Sequence, residues 1–120
     1  MKTKYLIIIM MSIFSLFSGG CSGSRKDVPP MTAGSVLIDV RSPEEYNVGH
    51  LAGAKLMPHD KIADLIVTAV PEKDTPLYLY CRSGRRVGIA IKTLKGLGYT
   101  VMYDLGGMED ARKTLGLPAE

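Results

Sequence analysis

Tryptophan is absent from this chain of 120 residues, and there are only two cysteines, two histidines and two phenylalanines. The two histidines, His50 and His59, have no cysteine, histidine or carboxylate cluster around them at metal-ligand spacing, so no metal site is expected. No basic arm with interleaved aromatics is present. Without Lys2 and Lys4 the charge is 13 basic residues against 12 acidic, which argues against a nucleic-acid partner. The longest apolar run, residues 5–17, falls short of the roughly 20 residues a bilayer-spanning helix needs. No internal repeat or low-complexity tract occurs, and the length leaves room for one domain.

The N-terminus has a recognisable order of parts. Lys2 and Lys4 precede the apolar run, and Ser18-Gly19-Gly20 follows it, which is the build of a secretory signal over residues 1–20. Cys21 comes directly after the small residues. The stretch resembles a bacterial lipoprotein signal, in which that cysteine is lipidated and anchors the mature chain to a membrane; it departs from the pattern in having Ser18 where leucine is preferred. The resemblance implies a periplasm-facing place in the bacterial cell envelope. SGSRKDVPP continues to residue 30 as a polar, proline-terminated tether, giving 21–30 as tether and 31–120 as the domain. If Cys21 carries lipid, Cys81 has no partner in the chain, and a lone thiol in an oxidising compartment calls for a reason.

Within the domain, strand and helix patterns alternate. SVLIDV (35–40) is a short apolar run of the kind found in strands buried on both faces. RSPEEY follows with Ser42, Pro43 and Glu45 spaced as a capping box with proline at the first helical position. AKLMP (54–58) reads as a second strand, and Asp60 as the cap of a helix through Ile62, Leu65, Ile66 and Ala69. LYLY (77–80) is a third strand. Val87, Ala90, Ile91, Leu94 and Leu97 have helical spacing, with Gly98 as the stop. TVMYDL (100–105) is a fourth strand, Gly106-Gly107 a turn, and residues 108–115 a last helix. The predicted fold class is α/β, a mostly parallel sheet of four to five strands flanked by helices.

In such sheets ligands bind beyond the carboxyl ends of the strands. Cys81 lies there, in CRSGRR, between the third strand and the longest helix. Gly84 allows a tight turn, backbone N–H groups at the helix start can converge on one point, and Arg82, Arg85 and Arg86 add positive charge. All of these favour thiolate over thiol, and the thiolate is the nucleophile. A cysteine at a strand end is otherwise a small buried hydrophobe. Its surroundings here favour a reactive group that works on an anion.

Three stretches carry a family resemblance: LIDVRSPEEYNVGHLAGAKLMP (37–58), CRSGRR (81–86) and GYTVMYDLGGMEDARKTLGLP (98–118). Together they resemble the single-domain rhodaneses, the thiosulfate sulfurtransferases, and most closely the small exported group related to phage shock protein E. The resemblance implies a three-layer rhodanese-like fold and a sulfur relay. Cys81 takes a sulfane sulfur from thiosulfate or a similar donor as a persulfide and passes it to a thiol or cyanide. Arg82, Ser83, Gly84, Arg85 and Arg86 then form the substrate-binding loop, and neither cofactor nor metal is required. The same resemblance implies that Asp39 and Arg41 brace the fold and that His50 makes a fixed hydrogen bond. His59, after a proline in a loop, is expected to face solvent. Relatives that hydrolyse phosphate esters or reduce arsenate have cysteine-x5-arginine; here the seventh position is Val87 and the arginine is Arg86, giving cysteine-x4-arginine. Sulfur transfer is therefore expected over phosphatase chemistry. The alternative is a persulfide carrier that delivers sulfur to a protein partner with little turnover.

Overall fold

The structure, a computed structural model, describes residues 28–118. The apolar N-terminal stretch, Cys21 and most of the tether lie outside the described residues. Eight elements alternate along the chain: β1 (Val36–Asp39), α1 (Pro43–Val48), β2 (Lys55–Leu56), α2 (Ile62–Ala69), β3 (Leu77–Cys81), α3 (Arg85–Gly96), β4 (Met102–Gly107) and α4 (Met108–Leu115). The strands form one sheet in the order β2-β1-β3-β4, and every pairing is parallel. The expected α/β architecture is therefore present, with four strands.

The period-two alternation of the strands decides the layers. Ile38 and Val40 from the β1 segment and Leu77, Leu79 and Cys81 from β3 point to one face. There they pack with Ile62 and Ile66 of α2 and Val87, Ala90 and Leu94 of α3. Leu37, Tyr78, Tyr80 and Leu105 point to the other face, against Leu51, Ala111 of α4 and the half-buried Tyr46 of α1. Each fully buried aliphatic side chain contributes about 1.5–3 kcal/mol from removal of its surface from water. β3 is buried at all five positions because it is central in the sheet and covered on both faces. Val28 and Met31 pack on the second cluster, and the Tyr78 hydroxyl donates to the Pro29 carbonyl at 3.0 Å, so the described chain touches the domain from its first residues.

Several boundaries differ from expectation for local reasons. The cap of α2 is Lys61, without a side-chain hydrogen bond, and not Asp60. The Lys61 amide is taken by the Pro58 carbonyl at 2.8 Å, and this turn shifts the helix start past the aspartate. β2 has two residues rather than five, although Met57 and His59 still donate backbone bonds to Asp39 and Val40. Gly106 and Gly107 belong to β4 instead of a turn. A register shift places Gly107 opposite Cys81, and Gly106, at a φ of 79°, takes up the extra residue as a bulge. Gly98 follows the end of α3 with a φ of 100°, as a helix stop requires. Among the described residues no helix is long and apolar enough to cross a membrane.

Candidate active site

The strand order reverses between β1 and β3: the chain leaves β1 toward β2 and leaves β3 toward β4. Loops that depart in opposite directions leave a crevice at the carboxyl ends of these two strands. Cys81 ends β3 at that point, and the loop Arg82–Gly84 carries the chain into α3. Gly84 has a φ of 96°, a left-handed conformation that side-chain-bearing residues rarely adopt. This turn aims the Gly84 N–H back at Cys81, where it donates to Sγ at 2.7 Å. A donor directed at sulfur in this way stabilises negative charge on it. Cys81 itself has 0% exposure and belongs to the core cluster on the α3 face.

The four residues with side chains after Cys81 in CRSGRR divide into two groups. Arg82, Ser83 and Arg85 are exposed, with the Arg82 side chain 78% accessible. Arg86 is half-buried and bound: its Nη1 and Nη2 donate to Oε1 and Oε2 of Glu45 at 2.8 and 3.1 Å. The guanidinium expected to orient a donor is thus already engaged by a carboxylate. Glu45 is also the partner of Ser42 in the capping box of α1. It accepts from the Ser42 backbone N–H at 3.0 Å and the hydroxyl at 3.1 Å, while the Ser42 Oγ accepts from the Glu45 N–H. The sequence showed Glu45 only in its capping role; its second partner becomes visible once β1 and β3 are neighbours.

The Arg86 hydrogen bonds, helped by those from Ser42, hold the Glu45 carboxyl at about 2 against an ordinary 4.5. A depressed carboxyl stabilises the fold above its unfolded value, and that contribution disappears as pH falls through the folded value. Glu45→Gln should therefore cost about 1–3 kcal/mol at neutral pH, with the difference from the parent shrinking between pH 4.5 and 2. Urea unfolding of both proteins across that range measures it; a pH-independent difference would mean the carboxylate's charge is not what stabilises.

Beneath this pair lies a buried polar network. The Arg41 guanidinium reaches Asp39 through Nε at 2.9 and 3.0 Å and Nη2 at 2.6 Å, and Nη2 also donates to the Gly49 carbonyl at 2.6 Å. The Tyr80 hydroxyl donates to Asp39 Oδ2 at 2.9 Å and accepts from the Leu51 N–H at 3.0 Å. Pairing with Asp39 raises Arg41 above its ordinary value, and burial raises the Tyr80 hydroxyl. Asp39 and Arg41 form a buried, fully paired network that ties β1 to Tyr80, the residue before Cys81. His50 Nδ1 lies 2.9 Å from the Tyr46 carbonyl, which can only accept, so that nitrogen carries the proton; the ring also stacks on Tyr46. His59 is half-buried rather than exposed, because its N–H is tied to the Val40 carbonyl. It lines a cleft of about 250 Å³ with Arg41, Pro43, Pro58, Lys61 and Arg86. Among the described residues no group of three metal-ligating side chains converges.

One residue of the site escaped the sequence reading. A Cβ on Gly107 would lie 2.5 Å from the Arg82 carbonyl oxygen and 3.2 Å from its carbon. β4 therefore presses on the backbone of the Cys81 loop, and only glycine fits there. The glycine doublet before α4 was the available signal.

Comparison with known proteins agrees with this arrangement. The rhodanese-like domain family matches residues 27–114, and the chain belongs to that family. Thiosulfate sulfurtransferase PspE of Escherichia coli is 40% identical over 81 residues, spanning 68% of this chain and 78% of that protein. Thiosulfate sulfurtransferase GlpE of Pseudomonas putida is 33% identical over 103 residues, 79% of this chain and 90% of its own length. Among solved structures, a rhodanese with anions from E. coli superposes with a TM-score of 0.65 at 36% identity, covering 72% of this chain and 96% of that one.

Proposed function

We propose that the protein is a thiosulfate sulfurtransferase with Cys81 as the sulfur-carrying nucleophile. The observation that carries this reading is the Gly84 N–H aimed at the Cys81 sulfur from a six-residue loop at the strand-order reversal. In the first half-reaction the Cys81 thiolate attacks the outer sulfur of thiosulfate, the donor's S–S bond breaks, and sulfite leaves with the electron pair. Cys81 then holds a persulfide, whose negative charge the loop N–H stabilises. In the second, a thiol or cyanide attacks the outer sulfur, and the Cys81 thiolate is regenerated as thiocyanate or an acceptor persulfide departs. The exposed Arg82 and Arg85 are placed to attract a dianionic donor. No general base is required, because the nucleophile reacts as its anion.

Loop length supports this chemistry over phosphate-ester hydrolysis. The position that a longer phosphatase loop gives to arginine is Val87, which is fully buried in the core of the α3 face. The full burial of Cys81 favours, as a second reading, a carrier that gives up its sulfur to a protein partner that opens the loop. The N-terminal sequence supports export and attachment through a lipidated Cys21, with the domain facing the periplasm. Thiocyanate formation from thiosulfate and cyanide tests the enzyme reading: the parent turns over, and Cys81→Ser loses at least about 1,000-fold, the scale of removing a covalent nucleophile. Phosphate release from an aryl phosphate that depends on Cys81 would contradict it. A free, reactive thiol without turnover would transfer support to the carrier.

A further inference from the structure

The Glu45–Arg86 pair crosses the crevice that the strand order opens. Glu45 comes from α1, which follows β1, and Arg86 from the first turn of α3, which follows β3. The carboxylate is fixed from its own side by the Ser42 N–H and hydroxyl, and it grips the guanidinium with both oxygens. It lies 3.8 Å from Arg82 Nη1 as well. A bidentate pair of this kind sets orientation as well as distance. The Cys81 loop is thus anchored at both ends, by the β3 ladder at Cys81 and by Glu45 at Arg86. Arg82, Ser83 and Arg85 between these anchors are exposed. Since Cys81 is fully buried, a donor reaches its sulfur only after a local movement, and the exposed segment between the anchors is the part of the loop that they do not hold. Arg86 interacts electrostatically with Cys81 as well as, and less strongly than, with Glu45.

We propose that Glu45 is a positioning residue for the Cys81 loop: it fixes the Arg86 end while the rest of the loop opens, and it neutralises Arg86 so that anion recognition falls to Arg82 and Arg85. The kinetic consequence rests on the sulfur-transfer reading; the electrostatic consequence does not.

The test uses the full chain carrying Cys21→Ser, which leaves Cys81 as the sole thiol. Cys81 is alkylated with iodoacetate and with iodoacetamide at low ionic strength, followed by intact mass. Both reagents need the same opening, so the ratio of their rates reports charge at the sulfur. Glu45→Gln should raise the iodoacetate-to-iodoacetamide ratio by about threefold or more, since one negative charge beside Arg86 is removed. It should also lower kcat for thiosulfate by about tenfold or more, as loosening a positioned reacting group does. Arg86→Lys, which keeps the charge but loses the fork, should lower kcat and leave the ratio at the parent value. Ser42→Ala, which weakens the helix cap but leaves the pair, should lower stability and leave the ratio unchanged. If Glu45→Gln leaves the ratio at the parent value, or if Ser42→Ala moves it equally, Glu45 is a helix cap only and the proposal is wrong. Should Glu45→Gln not fold, a kcat for Arg86→Lys equal to the parent's overturns the proposal by itself. A parent that transfers no sulfur while Glu45→Gln still shifts the ratio would overturn the reaction reading and support the positioning role.

Discussion

Gly107→Ala is expected to reduce sulfur transfer by about 100-fold, the cost of displacing a reacting group by about an ångström. The reason is steric. Gly107 has φ −78° and ψ 169°, a conformation open to any residue, so no backbone strain protects the position. The obstacle is the Arg82 carbonyl, 2.5 Å from where the new carbon would sit. Both sides of that collision are backbone, so no side-chain rotation relieves it. Either β4 withdraws, breaking the Cys81–Gly107 register, or the loop at Arg82 and Ser83 is pushed off the sulfur. Stability should fall by about 1–3 kcal/mol, the usual cost of overpacking a tight site. Steady-state kinetics with thermal unfolding checks both parts. Parent-like activity would mean that the loop tolerates displacement and that the contact positions nothing.

Asp39→Asn should destabilise the domain by about 3–5 kcal/mol, because it leaves the buried Arg41 guanidinium without its counter-charge. Asp39 is fully buried and Arg41 nearly so, and the carboxylate receives the Arg41 backbone N–H, the guanidinium and the Tyr80 hydroxyl. An amide keeps the shape but turns one acceptor into a donor facing other donors. For a domain whose total stability is about 5–15 kcal/mol, the loss is a large share of the whole. The urea midpoint should drop accordingly. An unchanged midpoint would show that the network contributes register rather than stability. Because Tyr80 adjoins Cys81, partly folded variants should lose activity along with structure.

What could be read in advance follows from how local each signal is. The apolar run 77–80, the capping box of Ser42 and Glu45, and the helical spacing from Val87 to Leu94 are properties of contiguous residues, and the structure has β3, α1 and α3 there. The CRSGRR loop was legible for the same reason, since cysteine, glycine and arginines lie within six positions. The unread features depend on residues distant in sequence. Glu45 binds Arg86 across 41 positions, and that contact exists only because β1 and β3 are adjacent. Gly106-Gly107 has the composition of a turn, yet the backbone of Arg82 determines its role. Asp60 lost its capping position to a turn closed by the Pro58 carbonyl, and His59 was drawn inward by its bond to Val40. The full burial of Cys81 matches what a cysteine at the end of a central strand suggests, while the Gly84 N–H aimed at its sulfur depends on the turn of the loop.

If the protein transfers sulfur as proposed, Cys81 itself carries it. The most direct measurement treats the chain with thiosulfate, removes excess donor, and locates any added mass by peptide mapping. One added sulfur atom is expected on the peptide containing Cys81, discharged as thiocyanate on addition of cyanide and absent in Cys81→Ser. A Cys81 peptide of unchanged mass, from protein whose thiol is free and whose thiosulfate is consumed, would contradict it.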